Sequence, residues 1–280
     1  MKSRVISELL RDAAAALDSE SPRADAELLL SRAVNQSRSW LFAHPEAIVS
    51  EDQAGVFLSM LEQRRRGEPV AQILGVREFW SLELRVTRDT LIPRPETELL
   101  VELALQRLPE ALPVRVLDLG TGTGAVALAL AHERSLAELT AIDVSARTLA
   151  VAQANAERLH LGNIRFLLGN WFSAVRDERY DMIVSNPPYI AEGDPHLMQG
   201  DLRFEPLAAL ASGPDGLDAI RLIANESPRH LRVGGWLLLE HGFDQGAAVR
   251  SLLGTAGFAN VATMADIAGL DRVTCGQLPP

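Results

Sequence analysis

The apolar positions at the start of the chain recur with a helical period, and polar residues fill the positions between them. The first apolar stripe consists of Val5, Leu9, Leu10 and Ala13. A second helix is expected from Ser21-Pro22, because proline is favoured in a first helical turn. A third is expected from Ser50, with Gln53 three residues later completing a capping-box pattern. Residues 1–72 are therefore predicted to form a small helical bundle, and they contain no catalytic motif.

Two runs with β character follow the bundle, at residues 76–80 and 82–87. They are consistent either with a hairpin that turns around Ser81 or with one bulged strand. Residues 73–92 are accordingly interpreted as a connector between two domains.

The remainder of the chain, residues 93–280, alternates between β and α patterns. Pro93 and Pro95 end the preceding strand and start a helix expected over 96–108. Alternation of this kind predicts an α/β fold, a doubly wound, mostly parallel sheet of seven strands with helices on both faces. The predicted strands are 114–119, 138–142, 164–168, 180–185, 235–240, 258–263 and 271–276.

Composition limits the classes of function. The chain has 280 residues and a formal net charge of −10, which argues against a phosphate-binding surface that follows a duplex. Cys275 is the only cysteine, so no intramolecular disulfide is expected, which fits a reducing cytoplasm. We see neither a signal-peptide pattern nor an apolar run of the about 20 residues that a membrane-spanning helix needs.

A glycine-rich turn lies between the predicted strand 114–119 and a helical pattern that starts at Ala125. The turn consists of Gly120, Thr121, Gly122, Thr123 and Gly124. This order places bare backbone N–H groups at a helix N-terminus, where anionic or strongly polar groups bind. Asp143 ends the next strand, about twenty residues further on, where an acid accepts hydrogen bonds from ribose hydroxyls. The two features predict a cofactor that contains adenosine, and they fit NAD and S-adenosylmethionine equally well.

Four residues directly after the strand 180–185 distinguish these cofactors: Asn186, Pro187, Pro188 and Tyr189. The two prolines offer no N–H and cannot continue the sheet, so the segment presents acceptors, the Asn186 side-chain oxygen and backbone carbonyls. Such a site suits a planar, conjugated NH₂ group, on whose plane the Tyr189 ring would stack. The alternative is that these four residues form an ordinary loop without a binding role. A methyl-transfer enzyme has a use for paired acceptors around an amino group, whereas a hydride-transfer enzyme has none that is evident.

The motifs taken together resemble a known family. The stretch from Val116 to Gly124, followed by Asp143 and then by Asn186 to Tyr189, looks like a seven-stranded S-adenosylmethionine-dependent methyltransferase. Three further segments narrow the likeness to the bacterial peptide chain release factor glutamine N5-methyltransferases: 91–98 (LIPRPETE), 203–206 (RFEP) and 238–242 (LLEHG). The resemblance covers nearly the whole chain and departs from the family at 269–272, where a more polar turn is expected.

The resemblance implies both the reaction and its residues. The enzyme would methylate N5 of the glutamine in the Gly-Gly-Gln motif of class I release factors, with S-adenosylmethionine as cofactor and S-adenosylhomocysteine as product. The expected catalytic residues are Asn186, Pro187 and Tyr189, and the expected substrate-binding residues are these three and Pro188. The expected cofactor-binding residues are Gly120, Thr121, Gly122, Thr123, Gly124, Asp143, Trp171 and Asn186. Trp171 would lie against the adenine, or alternatively belong to the core.

Other charged or polar residues keep two interpretations each. Asp118 would hold either the glycine loop or the cofactor's amino group. Arg94, Glu96 and Glu98 would cap the site or serve as helix-terminal charges. Arg203 and Glu205 would shape a substrate channel or form a surface salt bridge, and His241 is interpreted as structural rather than catalytic. The basic run Arg64 to Arg66 is interpreted as a solvated helix end or, alternatively, as a contact for an acidic protein partner or RNA. We find no histidine or cysteine spacing typical of a metal site.

The leading hypothesis is therefore a cytoplasmic, monomeric enzyme whose helical domain recognises the body of the release factor. It predicts no membrane association and no stable nucleic-acid binding. One alternative is a glutamine methyltransferase that acts on a ribosomal protein, and another is an adenine-N6 methyltransferase, because an exocyclic amine fits the same acceptors. A cofactor-binding adaptor without catalysis is the third class, and the intact motif at Asn186 argues against it.

Overall fold

The computed structural model describes residues 4–280. Its internal contacts divide the chain into two compact units. One contains the described residues up to Val76 together with Met198–Phe204, and the other contains Arg77–Leu197 and Glu205–Pro280. The domain bounds predicted above, 1–72, 73–92 and 93–280, stay predictions, and residues 1–3 of the first lie outside the described part of the chain.

The first unit is a helical bundle, as the periodic pattern indicated. Its helices are α1 (Ile6–Ala16), α2 (Pro22–Val34), α3 (Arg38–Ala43), α4 (Glu51–Arg65) and α5 (Val70–Leu74), and two short strands, β1 (Arg4–Val5) and β2 (Ile48–Val49), pair antiparallel. Both hydrogen bonds of the capping box between Ser50 and Gln53 are present. Leu29, Leu30 and Phe57 are fully buried in the core of this unit.

The basic cluster at the end of α4 differs from the sequence interpretation. Arg65 and Arg66 are exposed and pair with Glu62. Arg64 has a side chain that is only 10% exposed, and it donates to Asp25 and to Asp201, each at 2.8 Å. The prediction of a solvated helix end is therefore wrong for Arg64, because its guanidinium ties α2 to the distant segment Met198–Phe204.

The connector forms a hairpin, which decides between its two interpretations. Strands β3 (Val76–Phe79) and β4 (Leu82–Arg85) pair with each other. Trp80 and Ser81 both have positive φ, 52° and 58°, which is the geometry of a two-residue turn that matches the twist of the strands.

The second unit is built around a seven-stranded sheet of order β10-β11-β9-β8-β5-β6-β7. The strands are β5 (Arg115–Leu119), β6 (Glu138–Asp143), β7 (Ile164–Leu168), β8 (Tyr180–Ser185), β9 (Leu231–Glu240), β10 (Ala259–Ala265) and β11 (Asp271–Gln277). β5 to β9 run parallel and β11 is antiparallel to both of its neighbours, so the predicted mostly parallel, seven-stranded sheet is confirmed.

Helices cover both faces of the sheet. They are α6 (Glu98–Leu105), α7 (Ala125–Glu133), α8 (Ala146–Arg158), α9 (Asp218–His230) and α10 (Gly246–Thr255). The helix expected over 96–108 is shorter, and a 3-10 turn, Pro95–Thr97, precedes it. Val116 packs into the core on one face and Leu117 into the core on the other, as the alternation of side chains along a strand requires. Among residues 4–280, every helix is too short or too polar to cross a bilayer.

The order of strands fixes where a ligand can bind. β5 lies between β6 and β8. After β5, the strands β6 and β7 are added on one side of it and β8 on the other, so the direction in which strands are added to the sheet reverses beside β5. Ligands of such sheets bind at the carboxyl ends of the strands beside this reversal. Leu119 of β5 is paired with Ser185 of β8, so Gly120 and Asn186 directly follow the ends of two neighbouring strands.

Candidate active site

A cavity of about 400 Å³ opens at the carboxyl ends of β5, β6, β7 and β8. Of the residues predicted for the site, it is lined by Gly120, Thr121, Gly122, Thr123, Asp143, Trp171, Asn186 and Pro188. Asp118, Arg94 and Thr97 also line it, together with Pro206 and Ala208 from the chain after β8. One cavity thus contains most of the polar residues that follow the strand ends.

The glycine loop has the backbone geometry that its sequence requires. Gly120, Gly122 and Gly124 have φ values of 71°, 58° and 84°, a region in which a Cβ atom is strained. A Cβ on Gly124 would also lie 2.9 Å from Leu128 Cδ1 and 3.3 Å from Ala152 Cβ. The third glycine is therefore needed for the close packing of α7 against α8.

Two carboxylates hold the loop from inside. Asp118 Oδ2 accepts from Thr121 Oγ1 at 2.6 Å, so the interpretation of Asp118 as support for the loop is confirmed. Asp143 Oδ2 accepts from the N–H of Gly122 at 3.1 Å, and its Oδ1 accepts from the N–H of Ser145 at 2.9 Å. Each oxygen of Asp143 keeps a second lone pair, and the residue lines the cavity.

Asn155 supports the loop from outside, and no motif predicted it. It lies fully buried on α8, and its Nδ2 donates to the carbonyl of Thr123 and to that of Arg85, both at 3.0 Å. Its Oδ1 accepts from the N–H of Arg85 at 2.7 Å. One amide side chain therefore joins the hairpin strand β4 to the glycine loop.

Burial changes the acidity of both loop carboxyls. Desolvation raises the pKa of Asp118 from 3.8 to about 7, although the Thr121 hydroxyl opposes the shift. Desolvation also raises the pKa of Asp143, against the opposing effect of the backbone N–H groups of Ser145 and Gly122. A cationic ligand in the cavity would stabilise the charged form of both groups.

The raised pKa of Asp118 has a consequence for stability. Between about pH 4 and about pH 7 the folded protein keeps a proton that the unfolded chain releases, so raising the pH favours unfolding. The ligand-free protein is expected to lose about 4 kcal/mol of unfolding free energy over this range through Asp118 alone. In Asp118→Asn this part of the pH dependence should disappear.

Denaturant titrations at several pH values measure the effect, with Asp177→Asn, a change at an exposed residue, as the control. An Asp118→Asn profile as steep as that of the wild type would contradict the assignment.

Trp171 lies at the edge of the cavity in an unusual conformation. Its φ is 49°, which is strained for a large side chain, and it directly follows Asn170 at the end of β7. A Cβ on Gly120 would lie 3.6 Å from Trp171 Cζ3, so the indole faces the backbone of the first loop glycine. Trp171 lines the cavity and also packs against the core on one face of the sheet, so its contact with a ring of the ligand stays a prediction.

Asn186 meets the cavity at the end of β8. Its Nδ2 donates to Thr97 Oγ1 at 3.1 Å, and Thr97 is 4% exposed. With the nitrogen engaged behind the site, Oδ1 is the atom available to a ligand. This is the acceptor that the sequence analysis expected at this position.

The other three residues of the tetrapeptide, Pro187 to Tyr189, differ in whether they line the cavity. Pro188 lines the cavity, Pro187 is buried, and Pro187 and Tyr189 do not belong to the lining that the described residues form. The Tyr189 hydroxyl donates to Glu240 Oε1 at 3.2 Å, and the Tyr189 carbonyl accepts from Gln245 Nε2 at 2.9 Å. Stacking of Tyr189 on a substrate amide therefore stays a prediction.

An ion pair between a buried carboxylate and a partly exposed guanidinium holds the segment before α6. The side chain of Glu205 is fully buried, accepts from the N–H of Ile92 at 2.8 Å and pairs with Arg94. The alternative of a surface salt bridge is wrong for Glu205. Arg203, the other member of that prediction, lies over the Phe204 ring in the first unit.

His241 is structural, as predicted. It is fully buried, its Nδ1 bonds to the carbonyl of Gly242, and its Nε2 bonds to Thr274 Oγ1, both at 2.8 Å. Among the described residues no cluster of histidine, cysteine or acidic side chains has the arrangement of a metal site.

The sheet order, the reversal beside β5 and the glycine loop define the class I methyltransferase fold. A methyltransferase of known structure from Pyrococcus furiosus shares this fold, with a TM-score of 0.55 at 16% identity over 80% of this chain and 98% of that one. Two family models match: residues 97–201 a methyltransferase small domain, and residues 8–75 a PrmC N-terminal domain.

Sequence relatives identify the family within that class. The release factor glutamine methyltransferase of Xylella fastidiosa (strain Temecula1) is 56% identical over 257 residues, which cover 92% of this chain and 94% of the relative. The one from Escherichia coli (strain K12) is 51% identical over 269 residues, which cover 96% and 97%. The chain belongs to the release factor glutamine methyltransferase family, so the resemblance found in the sequence is confirmed.

Proposed function

We propose that this protein transfers a methyl group from S-adenosylmethionine to N5 of the glutamine in the Gly-Gly-Gln motif of class I release factors. The observation that carries the proposal is the orientation of Asn186. Its nitrogen is held by Thr97, and its oxygen is left for a ligand in the same cavity as the glycine loop.

The chemistry of the cavity fits S-adenosylmethionine. The N–H groups of Gly120, Thr121, Gly122 and Gly124 are bonded within the protein, so the backbone left for a ligand is the first turn of α7, where Ala125 and Val126 line the cavity. Asp143 retains lone pairs for ribose hydroxyls, and Trp171 offers a flat face for adenine. Asp118, buried beside them, is an acid whose charged form a cationic ligand favours. When bound there, S-adenosylmethionine supplies an electrophilic methyl group.

The protein's task in this reaction is to direct a poor nucleophile. The lone pair of an amide nitrogen is delocalised into the carbonyl, so the nitrogen must be localised and aimed at the methyl group. Asn186 Oδ1 and the carbonyl of Pro187 would each accept one N–H of the substrate amide, and no described residue donates to that carbonyl. Positioning of this kind lowers a barrier by as much as about 7–11 kcal/mol.

A strong general base is unnecessary. The attacked nitrogen becomes acidic as it gains the methyl group, so its proton can leave to water. S-adenosylhomocysteine is the second product. Pro188 would line the path of the substrate side chain, and Tyr189 would support the amide plane.

We further propose that the helical bundle binds the body of the release factor and that the enzyme works as a monomer in the cytoplasm. The match of residues 8–75 to an N-terminal domain found in this family supports a dedicated role for the bundle. The net charge of −10 is consistent with a protein substrate rather than nucleic acid.

An assay with radiolabelled S-adenosylmethionine tests the function. Release factor, ribosomal protein and nucleic acid are offered in turn, together with a release factor whose loop glutamine is replaced by alanine. Label is expected in the intact release factor and is expected to be lost in the glutamine variant. Label in nucleic acid alone, or in a release factor that lacks this glutamine, would contradict the proposal.

A further inference from the structure

Asn155 is a buried amide side chain to which the proposed reaction gives no role. It lies on α8, is fully buried, and takes part in three hydrogen bonds. Two of them join it to Arg85 of β4, and the third joins it to the carbonyl of Thr123 in the glycine loop. A buried amide has to be paired, and the pairing of this one is divided between two segments of the chain that lie far apart in sequence.

Asn155 belongs to one face of α8 that contacts both segments. Thr148, Ala152 and Asn155 are spaced by four and then three residues, so they lie on the same side of the helix. Thr148 Oγ1 donates to the carbonyl of Asp89 at 2.8 Å, and Ala152 Cβ is the atom that a Cβ on Gly124 would meet at 3.3 Å. This face therefore holds the chain after β4 on one side and the glycine loop on the other.

The two segments that α8 holds are both walls of the cavity. The glycine loop lines it from Gly120 to Thr123. The chain after β4 forms a second wall over residues 88–94, and its lining members are Arg88, Asp89, Leu91, Pro93 and Arg94. Asn155 is not part of the lining that the described residues form, so it affects a ligand in the cavity only through these walls.

The geometry of the Asn155 amide connects the walls rigidly. Its Oδ1 accepts from the N–H of Arg85 at 2.7 Å, and its Nδ2 donates to the carbonyls of Arg85 and Thr123, both at 3.0 Å. The amide group is planar, so these donors and the acceptor keep fixed directions. Arg85 and Thr123 cannot move apart without breaking one of the bonds, and a buried polar group left without its partner is costly.

We propose that Asn155 is a positioning residue that couples the glycine loop to the wall of residues 88–94. A ligand that fixes the loop then also fixes the second wall, and by linkage the state of that wall changes the affinity for the ligand by the same factor. The inference deepens the proposed function and rests on the binding of S-adenosylmethionine in this cavity.

The first test compares two amide hydrogens in the wild-type protein. Arg85 N–H donates to Asn155 Oδ1, and Arg115 N–H donates to Asp181 Oδ2, both at 2.7 Å. Arg115 begins β5, at the end of the sheet away from the cavity, so its amide is the control. Binding of S-adenosylhomocysteine should slow hydrogen exchange, followed by NMR, at Arg85 by about tenfold more than at Arg115. Equal slowing at the two amides, or none at Arg85, would overturn the proposal.

The second test uses two asparagine variants, Asn155→Ala and Asn163→Ala. Asn163 lies just before β7, does not line the cavity, and also donates through Nδ2 to backbone carbonyls, those of Ala131, Arg134 and Ala137. Both variants should lose stability in denaturant titrations, because both leave carbonyls without a donor. Asn155→Ala alone should raise the Kd of S-adenosylhomocysteine, by about tenfold in calorimetric titration.

The comparison of the two variants separates a positioning role from a structural one. The titrations would be made under conditions in which circular dichroism shows both variants to be folded. An unchanged Kd in Asn155→Ala, or an equal rise in both variants, would make Asn155 a structural residue only and overturn the proposal. The exchange experiment requires no variant, so it decides the question even if Asn155→Ala fails to fold.

Both tests use the protein without release factor, so their outcomes are distinct from that of the methylation assay. Coupling of the Arg85 amide to the ligand, with no label transferred to release factor, would count against the proposed substrate alone. Label in release factor, with an Arg85 amide that ignores the ligand, would overturn this inference alone. A wild-type protein that does not bind S-adenosylhomocysteine or S-adenosylmethionine would contradict the proposed function and, with it, the premise of this inference.

Discussion

Asn186→Ala is expected to lower turnover by roughly 10²–10³-fold, the loss typical of removing one preorganised polar group that contacts the reacting atoms. The variant loses the acceptor that would hold one N–H of the substrate amide. The glycine loop, Asp143 and Trp171, which are expected to bind the cofactor, do not bond to the Asn186 side chain among the described contacts. Affinity for S-adenosylmethionine should therefore stay within a few-fold of the wild type.

Single-turnover kinetics and calorimetric titration of the cofactor measure the two quantities separately. Asn225→Ala, at an exposed position on α9, is the matched control and should change neither. Unchanged turnover in Asn186→Ala would remove the basis of the proposed mechanism. A loss of cofactor affinity as large as the loss of turnover would mean that Asn186 acts through cofactor binding, the other role expected for it.

Gly216→Ala is expected to give the second largest effect, because it disturbs the backbone contact that supports the tetrapeptide Asn186 to Tyr189. Gly216 has a φ of 76°, and a Cβ there would lie against the carbonyl oxygen of Tyr189, well inside van der Waals contact, and 2.9 Å from Gln245 Nε2. Both atoms belong to the hydrogen bond that fixes the backbone after Pro188. Because the added atom meets backbone, either the tetrapeptide or the chain at Gly216 must shift, and the hydrogen bond between them is disturbed in both cases.

Gly269→Ala is the control that separates the effect of this clash from the cost of placing an alanine at a positive φ. Gly269 has a φ of 78°, and a Cβ there would meet no atom within 4 Å. Each substitution should lose about 1–3 kcal/mol of unfolding free energy for its backbone conformation. Gly216→Ala alone should lose more stability and also roughly 10²-fold in turnover, since misplacement by about 1 Å has such an effect. Denaturant titration and turnover would be measured on both, and equal turnover in the two variants would contradict the expectation.

The sequence predicted the parts of this protein that depend on local pattern. Strands β5 to β8 lie within about one residue of their predicted bounds, because short apolar runs between glycines and polar turns are a strong signal. β9 begins at Leu231, before the expected 235, because Leu231 pairs with Tyr180 ahead of an irregular stretch, and regular pairing with β8 resumes at Trp236.

The hydrogen-bond partners of the buried polar residues could not be predicted from local sequence pattern. Asn155 bonds to Arg85, Glu205 to Ile92, and Asn186 to Thr97, over sequence separations of 70, 113 and 89 residues. A polar residue within a helix or loop gives no local sign that it will be buried, and its partner is chosen by the tertiary fold. The sequence identified the residues that follow strand ends but not the ones that orient them.

The ion pair between Arg64 and Asp201 has a consequence for how this chain folds while the ribosome synthesises it. Domains generally fold in order as the ribosome releases them, the N-terminal one first. Here the unit that contains the N-terminal helices also includes Met198–Phe204, so it cannot be completed when its own helices emerge. Until Asp201 has been translated, after four of the seven strands of the sheet, Asp25 is the one carboxylate of the two that can hold Arg64, and the unit stays incomplete.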